Sequence, residues 1–118
     1  MASATIRQGI AVTLPRKKQY WIGGDLWTEA WVGPKDKRLQ GAIGITIPAE
    51  KRIYLSSELL VDPQEAVKVV MHERFHAAIH SMDIRWDREC EDIEEDIVER
   101  LVQGVVPTFR GKLKLKGL

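Results

Sequence analysis

The sequence predicts one α+β domain over residues 1–118, with a small antiparallel or mixed sheet packed on two helices. Segments rich in β-branched and aromatic residues, separated by glycine and proline, fill the chain up to residue 56. From residue 62 to residue 106 the apolar residues instead recur at helical spacing. The length of 118 residues allows one modest core, and the 44% apolar fraction is ordinary for a globular protein.

Composition and charge exclude several classes of protein. The net charge of +1 gives no global attraction to a polyanion, so nucleic acid is not an expected partner. The one cysteine, Cys90, cannot form an intrachain disulfide, which argues against a small disulfide-stapled domain. The first ten residues carry no signal-peptide core, and no apolar run reaches membrane-spanning length. We therefore expect a cytoplasmic protein with no membrane partner.

Turn residues divide the first half of the chain into predicted strands. Residues 4–14 are β-prone and form the first strand, and residues 19–22 form the second, which a Gly-Gly-Asp turn ends. Residues 26–32 alternate loosely and predict a third strand, with a short helix as the alternative. Ile43–Ile47 is predicted to pair with Ile53–Leu55 as a hairpin, which leads almost directly into the first helix.

Four aromatic side chains in this half of the chain have two possible roles each. Trp21, Trp27 and Trp31 are expected to fill the core between sheet and helices, with the wall of a substrate cleft as the alternative. Tyr54 is also expected in the core. Its alternative place is at the cleft, where the hydroxyl would support an oxyanion.

The first helix has a clear predicted start. Asp62 is a good N-cap, Pro63 suits the first helical position, and Glu65 completes a capping-box pattern. No glycine or proline interrupts the chain from there to Met82. The apolar residues that give this stretch its helical spacing are Val67, Val70, Met71, Phe75, Ala78 and Ile79.

The centre of this helix carries the sequence H-E-x-x-H, formed by His72, Glu73 and His76. Residues four apart lie on one face of a helix, one turn above the other, so both imidazoles can bind one metal ion. Glu73 is displaced by one position and lies beside the place of a metal-bound water. The pattern is typical of a helical zinc site with its own general base.

A second helix is predicted over residues 89–106 and ends at Pro107. The helix is unusually acidic, and its predicted apolar stripe comprises Ile93, Ile97, Val98, Leu101, Val102 and Val105. The chain after it predicts either a last short strand or a solvated basic end. Four basic residues in this tail do not predict nucleic-acid binding; they are Arg110, Lys112, Lys114 and Lys116.

Catalytic zinc usually has three protein ligands, so the motif needs one more. A third histidine in the pattern H-E-x-x-H-x-x-G-x-x-H is excluded, because Ile79 stands at the glycine position. His80 cannot replace it, since eight residues of helix place it about 12 Å along the axis from His72. We therefore expect His80 at the rim of the site.

Glutamates on the second helix are the other source of a ligand. At 100° per residue, Glu94 falls at the centre of the apolar stripe and Glu95 on its shoulder. A carboxylate that faces the core has to be neutralised, paired or bound to a metal. Either glutamate can therefore be the third ligand, and an ion pair with an arginine such as Arg74 is the structural alternative.

The run from Ile53 to Val106 resembles small HExxH metallopeptidase-like proteins of phages and prophages, and more distantly SprT-like proteins and other minimal gluzincins. Arg74 and Phe75 depart from that pattern, in which these positions are usually apolar and aliphatic. The resemblance covers about half of the chain. The residues that carry it are His72, Glu73, His76 and Ala77 on the first helix and Glu94, Glu95, Val98, Leu101 and Gly104 on the second.

This resemblance implies a minimal zincin fold and favours Glu95 over Glu94 as the third ligand. It also implies a phage- or prophage-encoded protein that acts in the host cytoplasm. We expect a zinc metallopeptidase that hydrolyses a peptide or protein substrate. Zn²⁺ held by the two histidines and one of the two glutamates would activate a bound water, with Glu73 as general base.

Two further expectations complete the functional prediction. A strand around Ile53–Leu55 would be the sheet edge that holds an extended peptide. The alternative function is a non-catalytic zincin-like module, such as a phage accessory factor, that binds a protein and keeps a structural metal.

Overall fold

A computed structural model of the chain describes residues 4–7, 10–82, 91–109 and 112–118. The predicted connection at 83–88, Cys90, the first residues of the second predicted helix and Arg110 lie outside the described residues. No helix in the described part is both long enough and apolar enough to cross a bilayer.

The described chain forms a four-stranded mixed sheet, a separate two-stranded sheet and two helices, which confirms the predicted α+β class. The larger sheet has the order β3-β4-β6-β5, in which β4 and β6 are parallel and the other neighbours antiparallel. The elements are β1 (Ala4–Arg7), β2 (Ile10–Thr13), β3 (Lys18–Ile22), β4 (Asp25–Val32), β5 (Gly44–Ile47), β6 (Arg52–Ser56), α1 (Pro63–Ser81) and α2 (Glu91–Val105).

The structure corrects one predicted element and decides another that the sequence left open. The first β-prone segment is not one strand but the antiparallel pair β1 and β2, in which Ala4 lies opposite Thr13 and Arg7 opposite Ile10. Of the two alternatives for the tail, the strand is excluded, since Leu115–Gly117 forms a short turn of 3-10 helix. The predicted hairpin is confirmed, with Ile45 opposite Tyr54 in β5 and β6.

The mixed sheet buries side chains on both faces. Trp27, Ile53 and Leu55 belong to the main core on the face that α1 covers, together with Val70 of α1. The opposite face has a smaller cluster around Val32, Leu39 and Tyr54. The sheet therefore separates two apolar layers, and α1 is held against only one of them.

The tryptophans divide between core and surface. Trp27 and Trp31 are buried in the core as predicted, and the Trp27 indole N–H donates to the Ser81 hydroxyl at the end of α1 (2.7 Å). Trp21 is 72% exposed, so the prediction that it fills the core is wrong. The reason is strand alternation: its neighbours Tyr20 and Ile22 point to the core, and Trp21 points away.

Local sequence explains the start of α1 and the inward face of α2. The Asp62 carboxylate accepts a hydrogen bond from the Glu65 backbone N–H (3.3 Å), which confirms the predicted cap. On α2 the buried residues are Val98 and Val102. Ile93 and Leu101 are exposed, so the predicted stripe is too wide on that side.

A buried polar cluster ties α1 to the sheet. The Arg74 guanidinium donates to both Glu29 carboxylate oxygens (2.9 and 3.0 Å), and its Nε also donates to the Tyr20 hydroxyl (3.1 Å). The Tyr20 hydroxyl in turn donates to Glu29. Burial, and then the Glu29 carboxylate, raise the pKa of Tyr20. The charge of Arg74 at a core-facing position is thereby compensated by Glu29 of β4. The alternative in which Arg74 pairs with a glutamate of α2 is therefore not the arrangement that the structure has.

We predict that Arg74→Met lowers the free energy of unfolding by about 3–5 kcal/mol, because it leaves the Glu29 carboxylate buried and unpaired. Glu29 is 3% exposed, so water cannot replace the lost guanidinium. Urea unfolding followed by circular dichroism measures the change. Arg100→Met is the matched control: its pair with Asp96 (3.0 Å) is exposed, and we expect a loss of less than about 0.5 kcal/mol.

Candidate metal centre

The two histidines of the H-E-x-x-H sequence face each other across one turn of α1. The His72 and His76 ring centroids are 4.9 Å apart, with the ring planes at 62°. Their Nε2 atoms are 3.2 Å apart. The helix makes this approach possible, because residues four apart lie one above the other on one face.

Glu95 of α2 completes a cluster of three donor groups. One of its carboxylate oxygens is 2.9 Å from His72 Nε2, and the other is 2.9 Å from His76 Nε2. Ligand atoms of His72, His76 and Glu95 lie within 4.8 Å of one another. The structure therefore places Glu95, rather than Glu94, opposite the pair of Nε2 atoms.

Glu94 lies on the outer side of the second imidazole. Its Oε2 is 2.7 Å from His76 Nδ1 and 3.5 Å from His80 Nε2. The side chain is only 13% exposed, in agreement with its predicted position at the centre of the apolar stripe of the second helix. His80 is exposed at the rim, as predicted. The two glutamates that the sequence could not separate thus contact opposite nitrogens of one ring.

Glu99 contacts the first imidazole in the same way and was not predicted. Its Oε1 is 2.8 Å from His72 Nδ1. It stands four residues after Glu95, so helical periodicity places the two carboxylates on the same face of α2. That spacing was visible in the sequence. The spacing brings Glu99 to His72 only because α2 packs against α1 in the observed register.

The donor set fits a zinc ion. Ligands about 2.0–2.1 Å from a tetrahedral zinc are roughly 3.3 Å apart, close to the 2.9–3.2 Å between the nitrogens and carboxylate oxygens here. When Glu94 and Glu99 accept hydrogen bonds from Nδ1–H, each neutral ring turns its Nε2 lone pair toward the other. Two lone pairs and a carboxylate facing one another need a cation or additional protons between them.

Glu73 is buried beside this cluster and is held by β5. The Thr46 hydroxyl is 2.9 Å from Glu73 Oε1 and 3.0 Å from the Glu73 main-chain oxygen. Burial raises the pKa of the Glu73 carboxyl, whereas the hydrogen bond from Thr46 and the nearby imidazoles oppose that rise. Glu73 is thus beside the two histidines, as the motif predicts, and Thr46 is a neighbour that the sequence did not reveal.

Two cavities flank the cluster along β5 and share Gly44, His72 and Glu73 in their walls. One has a volume of about 580 Å³ and a lining that is more apolar than polar. The other has a volume of about 380 Å³ and a more polar lining. The apolar lining of the larger cavity comprises Ala42, Ile43, Val69, Val102 and Pro107, and the smaller one is bounded by Thr46, Pro48, His80 and Glu94.

The structure confirms one expectation about the cleft and corrects another. Tyr54 is buried in the core as expected, in the cluster on the far face of the sheet, so its alternative role in supporting an oxyanion is excluded. The strand at Ile53–Leu55 is not an edge, because β6 lies between β4 and β5. The edge next to the cluster is β5, and within the described chain only β6 pairs with it.

We predict that Glu95→Gln weakens zinc binding more than Glu94→Gln does. Glu95 faces both Nε2 atoms and would be a ligand, whereas Glu94 would orient His76 through Nδ1, a role whose loss costs about 10–100-fold in metal affinity. Competition titration with a zinc-binding dye measures both variants. The opposite order of affinities would assign the ligand to Glu94. Asp92→Asn, on the exposed side of α2, is the control.

Comparison with models of known protein families, with curated proteins and with solved structures finds no match. The resemblance to small HExxH metallopeptidase-like proteins remains a prediction from the sequence. The function proposed below is drawn from the donor set and its surroundings.

Proposed function

We propose that the protein is a zinc-dependent metallopeptidase. The observation that carries this proposal is the convergence of His72, His76 and Glu95 beside the buried carboxylate of Glu73, at the edge of the sheet. Two imidazoles and one carboxylate are a common donor set of catalytic zinc, which keeps a further position open. A cytoplasmic location accords with the single cysteine and remains part of the proposal.

His72, His76 and Glu95 would hold the metal. Bound zinc supplies Lewis acidity, which polarises a carbonyl oxygen and makes water a stronger acid near neutral pH. Glu94 and Glu99 hold the Nδ1 sides of the imidazoles, so each ring keeps the orientation in which Nε2 points inward. The three glutamates of α2 thus have two proposed roles. A contact with Nε2 makes Glu95 a ligand, and a contact with Nδ1 makes Glu94 and Glu99 orienting groups.

Glu73 is the proposed general base and acid. Its carboxylate takes the proton from the attacking water and passes it to the nitrogen of the leaving amine, so the peptide bond breaks as the new C–O bond forms. The side chain follows His72 directly on α1 and is fixed from the β5 side by Thr46. This contact limits the orientations that the carboxylate can take before proton transfer.

An extended peptide fits along β5. A peptide that adds to a sheet edge as a further strand makes main-chain hydrogen bonds whatever its sequence. Every second side chain of the peptide then points to the cleft side, where it can enter a pocket. The cavity of about 580 Å³ is large enough for a bulky apolar side chain and begins at Glu73 and His72. The proposed substrates are therefore peptides or unfolded protein segments with an apolar residue next to the cleaved bond.

We predict that Glu73→Gln abolishes peptide hydrolysis, by a factor of about 10²–10⁴ or more, while zinc remains bound. Glutamine keeps the size of the side chain but cannot accept the proton. Hydrolysis is measured with a fluorogenic peptide library, and metal content by elemental analysis. His72→Ala His76→Ala should lose both zinc and hydrolysis. Glu58→Gln, a partly exposed glutamate outside the centre, is the control.

Each outcome of this experiment has a definite meaning. Hydrolysis that survives Glu73→Gln contradicts the assignment of the base. Stoichiometric zinc without hydrolysis in the wild-type protein contradicts the peptidase and favours the module with a structural metal. Protein that contains no zinc and takes up none from solution contradicts both.

A second prediction concerns the larger cavity. Val69→Phe should lower kcat/KM for peptides with leucine or phenylalanine beside the cleaved bond at least about tenfold relative to peptides with alanine there, because the added ring fills the cavity. Val61 is 65% exposed and lies outside both cavities, so Val61→Phe is the matched control. An unchanged preference in Val69→Phe would show that side chains do not enter this cavity.

A further inference from the structure

The cleft-facing side of β5 contacts the Glu73 side chain at two positions. Gly44 and Thr46 are two residues apart in the strand and therefore point to the same face. Thr46 reaches Glu73 with its hydroxyl, which is 2.9 Å from Oε1. Ile45 between them points to the other face, where it packs with Tyr54. The strand thus offers Glu73 one hydrogen-bond donor and one position without a side chain.

The space at Gly44 is taken by α1. A Cβ atom at this position would be 3.3 Å from Glu73 Cγ, 3.4 Å from Glu73 Oε2 and 2.9 Å from Val69 Cγ1. The last distance is shorter than real Cβ contacts allow, so any larger residue must push the strand or the helix side chains away. The φ angle of Gly44 is not in the left-handed region. The glycine is required by the close approach of β5 to α1, not by backbone conformation.

We propose that β5 is the positioning strand for the general base. In this proposal the Thr46 hydroxyl holds Oε1 of Glu73, and the missing side chain at Gly44 leaves room for the carboxylate to lie with Oε2 on that side. Thr46 is a positioning residue, since it acts on the reaction only through Glu73. The expected effects on kcat rest on the proposed peptidase function. The contact between Thr46 and Glu73 does not depend on that function.

The arrangement links substrate binding to the base. An extended peptide would pair with the edge of β5 that has no partner strand among the described residues, and the inward face of the same strand contacts Glu73. The distance from the peptide backbone to the carboxylate is therefore set within one short strand. Errors of about 1 Å in such distances cost about a hundredfold in rate, which gives the contact its expected importance.

A double-mutant cycle tests the contact without any assay of activity. Thr46→Val removes the hydroxyl at nearly constant shape, and Glu73→Met removes the acceptor at similar length. We expect the unfolding equilibrium constants of the full chain to show a coupling of about tenfold between the two changes, as for a hydrogen bond to a charged group. Additive effects would overturn the proposal, whatever the protein catalyses.

The kinetic test compares two replacements of one residue. Thr46→Val should lower kcat about 10–100-fold with zinc affinity and KM little changed, because the hydrogen bonds of the Thr46 hydroxyl in the described chain go to Glu73 and not to a proposed metal ligand. Thr46→Ser keeps the hydroxyl and should retain kcat within about threefold of the wild type. Equal kcat values for the valine and wild-type proteins would overturn the positioning role, and so would a parallel loss of zinc from the valine variant.

A glycine replacement gives an independent test. Gly44→Ala should lower kcat with zinc retained, because the new methyl group displaces Glu73 or Val69. Gly33→Ala is the matched control, since a Cβ there meets nothing within 4 Å. A kcat unchanged by Gly44→Ala would overturn the part assigned to Gly44. If the wild type binds zinc but cleaves no peptide, the proposed function fails, and the double-mutant cycle still decides whether β5 holds Glu73.

Discussion

The whole centre depends on one electrostatic constraint: two imidazole nitrogens 3.2 Å apart face the same carboxylate. When both rings are neutral and carry their protons on Nδ1, these groups are all acceptors, so a cation or additional protons are needed between them. The helical pitch of α1 imposes the spacing of His72 and His76. The packing of α2 then adds Glu95. Glu94 and Glu99 then contact the outer nitrogens of the same two rings.

The acidity of α2 has a structural explanation in these contacts. A run of glutamates on one helix usually indicates a solvated face, and Glu95 and Glu99 are indeed about half exposed. Yet three of them contact the two imidazoles. Glu94 and Glu99 each contact one Nδ1 atom, and Glu95 contacts both Nε2 atoms. The centre thus has its orienting groups on the same helix as its proposed ligand.

The two faces of α1 differ in chemistry and contact different parts of the protein. One face bears the histidines and points to the cleft. The other packs on the sheet, where Arg74 pairs with Glu29 and Tyr20 instead of an apolar neighbour. The ion pair fixes the helix against β4, while Thr46 contacts it from β5. The helix is therefore held to two strands on the same face of the sheet, and Glu73 lies next to β5, which no other described strand but β6 pairs with.

The sequence by itself determined the α+β class, the capped helix α1 and the facing pair of His72 and His76, because helical periodicity and capping are local properties. It also placed Glu94 and Glu95 toward α1, but it could not choose between them. Adjacent residues differ by 100° around a helix, so the choice depends on how α2 packs against α1. Only the tertiary structure decided that Glu95 faces both Nε2 atoms. The tertiary structure also decided the strand order, in which β5 rather than β6 is the edge, and the contact between Thr46 and Glu73. Both are formed by residues that are far apart in the chain.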